Sequence, residues 1–247
     1  MLELLTDTRI DLAGSGARHG EGLFETIRVR DGAPRRLEAH LQRLAGGARF
    51  LGLEPPPELA AVRAFLAAPC AGLASGVLRL MAVDRKLLVT VAPWASEPGP
   101  VALGLCEVTR RCSASPLNRF KTMSYLENRI MAREAAERGL FEVVALNEHG
   151  RLTDGSRTSL FLLLDGELLT PPAADGALPG VARRCLLEAG LAREAGLVPE
   201  DLARADAALL TNALRGAMPV RAAEGRALDP DHALLRRAAA LLDQDCA

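Results

Sequence analysis

The sequence predicts an α+β protein of two domains. Three observations carry this reading. Strand-like runs dominate residues 1–112, a polar proline-containing stretch follows at 113–119, and from residue 120 helical periodicity mixes with short apolar runs. The expected organisation is a small N-terminal domain over 1–112, a linker over 113–119 and a larger C-terminal domain over 120–247.

In chain order, Leu23–Arg30 alternates apolar with polar, as a half-buried strand does, and Asp31-Gly32 is a turn signal. Alternation places Phe24, Thr26 and Arg28 on one face and Glu25 and Ile27 on the other. Leu37–Phe50 reads as a helix with Leu37, Leu41, Leu44 and Ala48 on one stripe. Pro55–Pro57 interrupt it, and Glu58–Ala67 reads as the next helix. Val77–Val83, Leu87–Ala92 and Val101–Thr109 read as strands. Beyond the connector, a helix is expected from Met123 to Arg138, its apolar stripe formed by Met123, Leu126, Ile130, Met131 and Ala135, with Gly139 ending it. Strands follow at Glu142–Leu146, Thr158–Leu164 and Glu167–Thr170, with hairpin turns at 147–150 and 165–166. A helix opens after Pro179-Gly180 and runs to about Ala189. Ala207–Thr211 is a short strand and Ala233–Leu242 a final helix.

Hydrophobic residues make up 49% of the 247, enough for a sizeable core. The net charge of −1 argues against a nucleic-acid or anionic-membrane partner. No apolar run approaches a membrane span. The start, MLELLTDTRIDLAG, lacks a basic region and a long apolar stretch, which predicts a cytoplasmic protein. The cysteines (Cys70, Cys106, Cys112, Cys185, Cys246) show no CxxC spacing. That fits a reduced compartment better than a disulfide framework or zinc site, and no metal is expected.

Only two of the 30 basic residues are lysines, Lys86 and Lys121. Arginine stays protonated, whereas a lysine amine can lose its proton and attack a carbonyl. Lys86, in the polar run VDRKLL, reads as a surface charge. Lys121, between the connector and a helix and flanked by Phe120 and Met123, either reaches a cleft as a partly desolvated amine or snorkels at the surface. In LTDGSRTSLF, Asp154 is either a solvated turn residue or a carboxylate held against a cationic ring nitrogen. LPGVAR opens a helix behind a glycine, where the free amides of Val181 and Ala182 suit a phosphate. Thr211 and Asn212 offer polar groups after a strand. In HLQRL, Arg43 either shares an exposed face with His40 or binds a phosphate. In GEGLFETIR, Glu25 or Arg28 could reach a cleft mouth.

Taken in order, GEGLFETIR, HLQRL, KTMSYLENRIMAREA, LTDGSRTSLF, LPGVAR and LTNALRGAMPV resemble the class IV aminotransferases, the fold-type IV enzymes that use pyridoxal 5′-phosphate. The resemblance spans about Gly20 to Val220. It implies a small α/β domain and a larger pseudo-barrel domain with the cofactor between them, in a homodimer. It makes Lys121 the Schiff-base lysine and proton shuttle and gives the phosphate to Arg43, Val181, Ala182, Thr211 and Asn212. It sets Asp154 at the pyridine nitrogen and Tyr125 near the phenolic oxygen. Glu25 and Arg28 are the substrate candidates. Three departures stand out: Asp154 where the family has glutamate, Ser159 where it has asparagine, and a loop of only Asp84-Arg85-Lys86 where many relatives have a long glycine-rich one.

Within the family, the text TNALRGAMPV and the short chain resemble the 4-amino-4-deoxychorismate lyases, which release 4-aminobenzoate and pyruvate for folate synthesis. FETIR is shared with transaminases. A transaminase acting on branched-chain or D-amino acids is the alternative, and a weakly active cofactor-binding or scaffold protein is a third. Retention of Lys121 in a chain with two lysines argues against the third.

Overall fold

Backbone pairing divides the chain into two units, and the boundary is not where composition suggests. The computed structural model describes residues 1–7, 9–95 and 99–244, so Cys246 lies outside the described residues. One unit comprises Met1–Ser96 with Phe120–Ser124, the other Glu97–Arg119 with Tyr125–Cys246. The expected division at 113–119 is therefore corrected. The strand over Val101–Arg111 belongs to the second unit, because its partners are strands of that sheet. Residues 113–119 are not a free linker either. They form a 3-10 turn over Pro116–Arg119, held by Glu148, which accepts from the Ser113 amide at 2.8 Å and its hydroxyl at 2.7 Å.

The first unit runs β1 (Glu3–Leu5), α1 (Ser15–His19), β2 (Leu23–Arg30), β3 (Ala33–Pro34), α2 (Leu37–Leu51), α3 (Leu59–Cys70), β4 (Ser75–Val83) and β5 (Lys86–Pro93). Its sheet has the order β1-β5-β4-β2-β3. Strict alternation decides the packing. Leu23, Ile27 and Val29 of β2, Leu78 and Leu80 of β4 and Leu87 and Val89 of β5 bury one face against Leu37, Leu41 and Leu44 of α2 and Val62 and Leu66 of α3. Each such side chain, fully removed from water, contributes roughly 1.5–3 kcal/mol. The opposite face carries Phe24, Thr26 and Arg28, with Arg79 paired in register between Thr26 and Thr90. Asp84 and Arg85 turn β4 into β5 with φ of 48° and 65°, so Lys86 already lies in the strand. The Asp84 carboxylate accepts from the Gly16 amide at 3.3 Å. A Cβ at Gly14 would sit 2.6 Å from that carboxylate, so the glycine-rich N-terminal segment is what closes over the short turn.

The second unit runs β6 (Val101–Arg111), α4 (Leu126–Glu137), β7 (Glu142–Asn147), β8 (Leu152–Gly155), β9 (Ser159–Leu164), β10 (Glu167–Thr170), α5 (Val181–Glu188), β11 (Arg193–Glu194), α6 (Pro199–Arg204), β12 (Ala207–Asn212), β13 (Gly216–Ala223), β14 (Arg226–Ala227) and α7 (Ala233–Asp243). Its strands follow the order β11-β10-β9-β12-β13-β6-β7-β8, with β14 on β13. The central strands are apolar on both faces, which explains runs such as SLFLLL. Leu160, Leu162, Ala208 and Leu210 join one core, while Phe161, Leu163, Ala207 and Leu209 join another beneath Leu186 of α5 and Leu235 of α7.

The helix expected from Met123 begins three residues later, at Leu126, and its buried face differs from the expected stripe. Leu126 and Ile130 are exposed. Asn128, Met131, Glu134 and Ala135 face inward. Glu134 is buried because β6 slips register against β7 between Leu105 and Arg110. Its carboxylate accepts from the amides of Glu107 at 2.9 Å and Val108 at 3.3 Å, which the slip would otherwise leave unpaired. After the slip β6 resumes pairing, with Arg111 opposite Asn147.

Candidate active site

In the first unit the lysine-bearing segment is sewn onto the start of β2. Leu23 and Thr122 form an antiparallel bridge, the Phe24 amide donates to the Lys121 carbonyl at 2.8 Å, and the Met123 amide to the Gly22 carbonyl at 2.8 Å. Lys121 is half-buried, with Nζ 4.1 Å from the centroid of the Phe24 ring. It therefore stands on the face that also carries Thr26, Arg28 and Arg79, where the Arg28 guanidinium lies over the Trp94 ring at 5.5 Å. Lys86 starts β5 opposite Val83 and Glu3, at the other end of β5 from Trp94.

Glu25 occupies the other face and does not reach a cleft mouth. Its side chain is 1% exposed, which corrects the expectation that it touches substrate. Arg43 of α2 grips it side-on, Nε to Oε1 at 2.8 Å and Nη2 to Oε2 at 2.6 Å, and His40 Nδ1 lies 2.6 Å from Oε2. Burial pushes the Glu25 carboxyl up, but Arg43 and His40 outweigh it and hold the group at about 2. Burial lowers His40 despite Glu25 beside it, so a neutral ring donating through Nδ1 fits both partners. His40 is thus not an exposed companion of Arg43 but part of a buried support that fixes the guanidinium plane.

In the second unit Asp154 lies one residue before the end of β8, 7% exposed. Oδ2 accepts from the Leu178 amide at 3.0 Å. Oδ1 has no hydrogen-bond partner among the described residues and lies 3.4 Å from Arg111 Nε. Burial raises this carboxyl, with Arg111 opposing. The adjoining loop is pinned by Glu142, buried in β7. It accepts from Ser156 Oγ at 2.7 Å, Thr158 Oγ1 at 3.0 Å and the Arg157 amide at 3.2 Å. Tyr125 donates to the Ser156 carbonyl at 3.2 Å and Asn128 Nδ2 to the same oxygen at 2.9 Å.

Thr211 of β12 is paired in register with Ser159 of β9, so both side chains stand on the α5 side of the sheet. A Cβ at Gly180 would come within 2.9 Å of Ser159 Oγ, which places the start of α5 directly over these hydroxyls. Val181 and Ala182 open the helix, and Gly180 at the N-cap has no side chain to accept from the helix's first amides. Thr211, 1% exposed, has a hydroxyl with no partner among the described residues. Asn212 turns its Oδ1 back onto the amides of Leu214 at 3.1 Å and Arg215 at 2.8 Å, shaping the turn into β13.

A family model described as amino-transferase class IV matches residues 22–223. The chain belongs to this family. Among curated relatives, the bifunctional aminodeoxychorismate lyase / D-amino acid transaminase of Mycobacterium tuberculosis is 31% identical over 206 residues, covering 72% of this chain and 71% of that protein. Among solved structures, a putative 4-amino-4-deoxychorismate lyase from Legionella pneumophila superposes with a TM-score of 0.91 at 25% identity, covering 99% of both chains. The 4-amino-4-deoxychorismate lyase of Pseudomonas aeruginosa gives 0.83 at 31% identity, covering 97% of this chain and 96% of that one. The architecture is accordingly that of the fold-type IV enzymes, and the cofactor of this class IV enzyme is pyridoxal 5′-phosphate.

The residues fit that group. A buried, unpartnered Thr211 hydroxyl beside the amides opening α5 suits a phosphate, and a buried Asp154 oxygen without a donor suits a protonated ring nitrogen. Reasoning from sequence passed over Arg111, Glu142, His40 as a buried partner, and Ser159 as a neighbour of Thr211. Glu142 had a signal, a charge inside the apolar run FEVVAL.

Proposed function

We propose that this enzyme is a 4-amino-4-deoxychorismate lyase that forms 4-aminobenzoate and pyruvate. The observation that carries this reading is the full-length likeness to the Pseudomonas lyase, at 31% identity over nearly all of both chains. The cationic face of Lys121, Arg28 and Arg79 supports it, because the substrate carries two carboxylates.

In this reading Lys121 holds the cofactor covalently. Arg43, oriented by Glu25, and Thr211, with the amides of Val181 and Ala182 and the turn at Asn212, hold the phosphate. Asp154 faces the ring nitrogen, and Tyr125 stands by the phenolic oxygen. When bound, pyridoxal phosphate supplies an aldehyde that condenses with amines and a protonated ring that accepts an electron pair. Lys121 Nζ, as a free amine, would take the proton from the amine-bearing carbon of the substrate. The ether C–O bond between the ring and the enolpyruvyl group would break with the electron pair leaving on enolpyruvate, which takes up the proton from Lys121 to become pyruvate, and aromatisation of the ring would drive the step. The enzyme works as a cytoplasmic homodimer.

The test is a product assay. Protein saturated with pyridoxal phosphate is given 4-amino-4-deoxychorismate, and 4-aminobenzoate and pyruvate are quantified against Lys121→Ala. Lysine-dependent formation of both in equal amounts is expected. A second reading, transamination, draws on the dual activity named for the Mycobacterium relative. Turnover of a D- or branched-chain amino acid with 2-oxoglutarate, and no 4-aminobenzoate, would replace the lyase by a transaminase.

A further inference from the structure

The carboxylate assigned to the ring nitrogen is not alone in its pocket. Arg111 is 7% exposed and spans two acids, with Nε 3.4 Å from Asp154 Oδ1 and Nη1 2.8 Å from Glu127 Oε2. Nη1 also reaches Asn128 Oδ1 at 3.3 Å, and Thr109 Oγ1 donates to Glu127 Oε1 at 2.6 Å. Asp154 is faced by Arg111 from β6 and by the Leu178 amide. Arg111 is faced by Asp154 from β8, and by Glu127, Asn128 and Tyr125 from α4 and its N-cap. Two carboxylates and one guanidinium sum to one negative charge, the complement of a single protonated ring nitrogen.

The two ends of this chain do different things. Without a cation beside it, a buried aspartate takes up a proton and becomes a donor, which cannot accept from a pyridinium. Arg111 by itself would prevent that but would also neutralise Asp154. Glu127 draws on the other side of the guanidinium and leaves the group net negative. Aspartate is one methylene shorter than the glutamate of the family pattern. Here its Oδ2 is tied to the Leu178 amide, while Oδ1 is held without any hydrogen bond, so the shorter side chain is aimed by its surroundings.

We propose that Arg111 and Glu127 are positioning residues for the cofactor's ring nitrogen: Arg111 holds Asp154 as an anion with Oδ1 directed to the ring, and Glu127 keeps the cluster net negative so that the nitrogen retains its proton. This rests on Asp154 being the ring-nitrogen partner.

The measurement is the nitrogen-15 shift of ring-labelled pyridoxal phosphate bound to each variant across pH, together with the cofactor's dissociation constant and the melting temperature of the apoprotein. In Glu127→Gln the pH at which the ring nitrogen loses its proton falls by about one unit, in Arg111→Met the nitrogen cedes its proton to Asp154 and its shift moves to that of a neutral ring, and in both binding weakens on the order of tenfold. Glu127 is 40% exposed, so the glutamine variant is expected to keep the apoprotein's melting temperature. Apo Arg111→Met is destabilised more at pH 8 than at pH 5, and adding Asp154→Asn rescues it, because the cost is an uncompensated anion. Should Arg111→Met alone fail to fold, folding of the double variant is the same rescue, and its failure to fold overturns the proposal. Asp154→Asn separates the two claims. If it leaves the ring nitrogen unmoved, the assignment of Asp154 fails. If it shifts the nitrogen while Arg111→Met and Glu127→Gln do not, only the positioning role is lost.

Discussion

Replacing Glu25 by glutamine removes one charge from a buried ion pair and leaves its shape intact. The carboxyl lies at about 2 in the folded chain against an ordinary 4.5, a difference worth about 3 kcal/mol. The sign follows from the depressed value. The contribution is fully present above the unfolded value of 4.5 and is lost as pH falls from there through 2. Deleting one partner of a buried pair gives a similar figure, roughly 3–5 kcal/mol, because Arg43 keeps its charge without the opposing carboxylate. For a chain of this length that is a fall in melting temperature of about 6–12 °C at neutral pH. The assay is thermal unfolding of the apoprotein from pH 7 to pH 3. The wild-type advantage over Glu25→Gln should shrink steadily below pH 5. Because Glu25 fixes the Arg43 plane, pyridoxal phosphate should also bind several-fold more weakly. A variant that melts within about 2 °C of wild type at pH 7, with unchanged cofactor affinity, would refute the reasoning.

Lys121→Ala is expected to abolish the cofactor adduct that borohydride reduces onto the protein, while Lys86→Ala leaves it intact, as mass spectrometry of the reduced protein would show. Thr211→Val removes a buried hydroxyl that has no partner among the described residues. The apoprotein should melt at the same temperature or higher, while cofactor affinity falls about tenfold, since the hydroxyl is satisfied only by the phosphate.

The strand–helix layering of the first unit was legible because its elements are amphipathic and local in sequence: Leu23–Arg30 alternates, and Leu37, Leu41, Leu44 and Ala48 repeat at helical spacing. The division between units was not, because β6 finds its neighbours β7 and β13 through parallel pairing, which leaves no turn signature. β13 carried no strand signal, since GAMPVRAA has a proline and no alternation. Its register with β12 supplies what its own residues do not signal. The face of α4 was misjudged for a related reason. Hydrophobic spacing picks Leu126 and Ile130, but Glu134 and Asn128 are buried to satisfy backbone groups in β6 and at Ser156. In the site, Lys121 stood out because lysine is scarce in this chain, and Arg111 was hidden because arginine is not.

The bridge between Leu23 and Thr122 joins residues about a hundred positions apart. A ribosome making this chain releases the whole sheet β1–β5 and then β6, whose partners β7 and β13 are still to come, before Thr122 can dock. The first unit can bury its hydrophobic core early, yet it receives Lys121 late, after the chain has left it and returned. A nascent or truncated product ending near residue 96 would therefore carry a sheet and three helices but not Lys121. In the proposed reading, the order of synthesis itself withholds the Schiff-base lysine from a half-made enzyme.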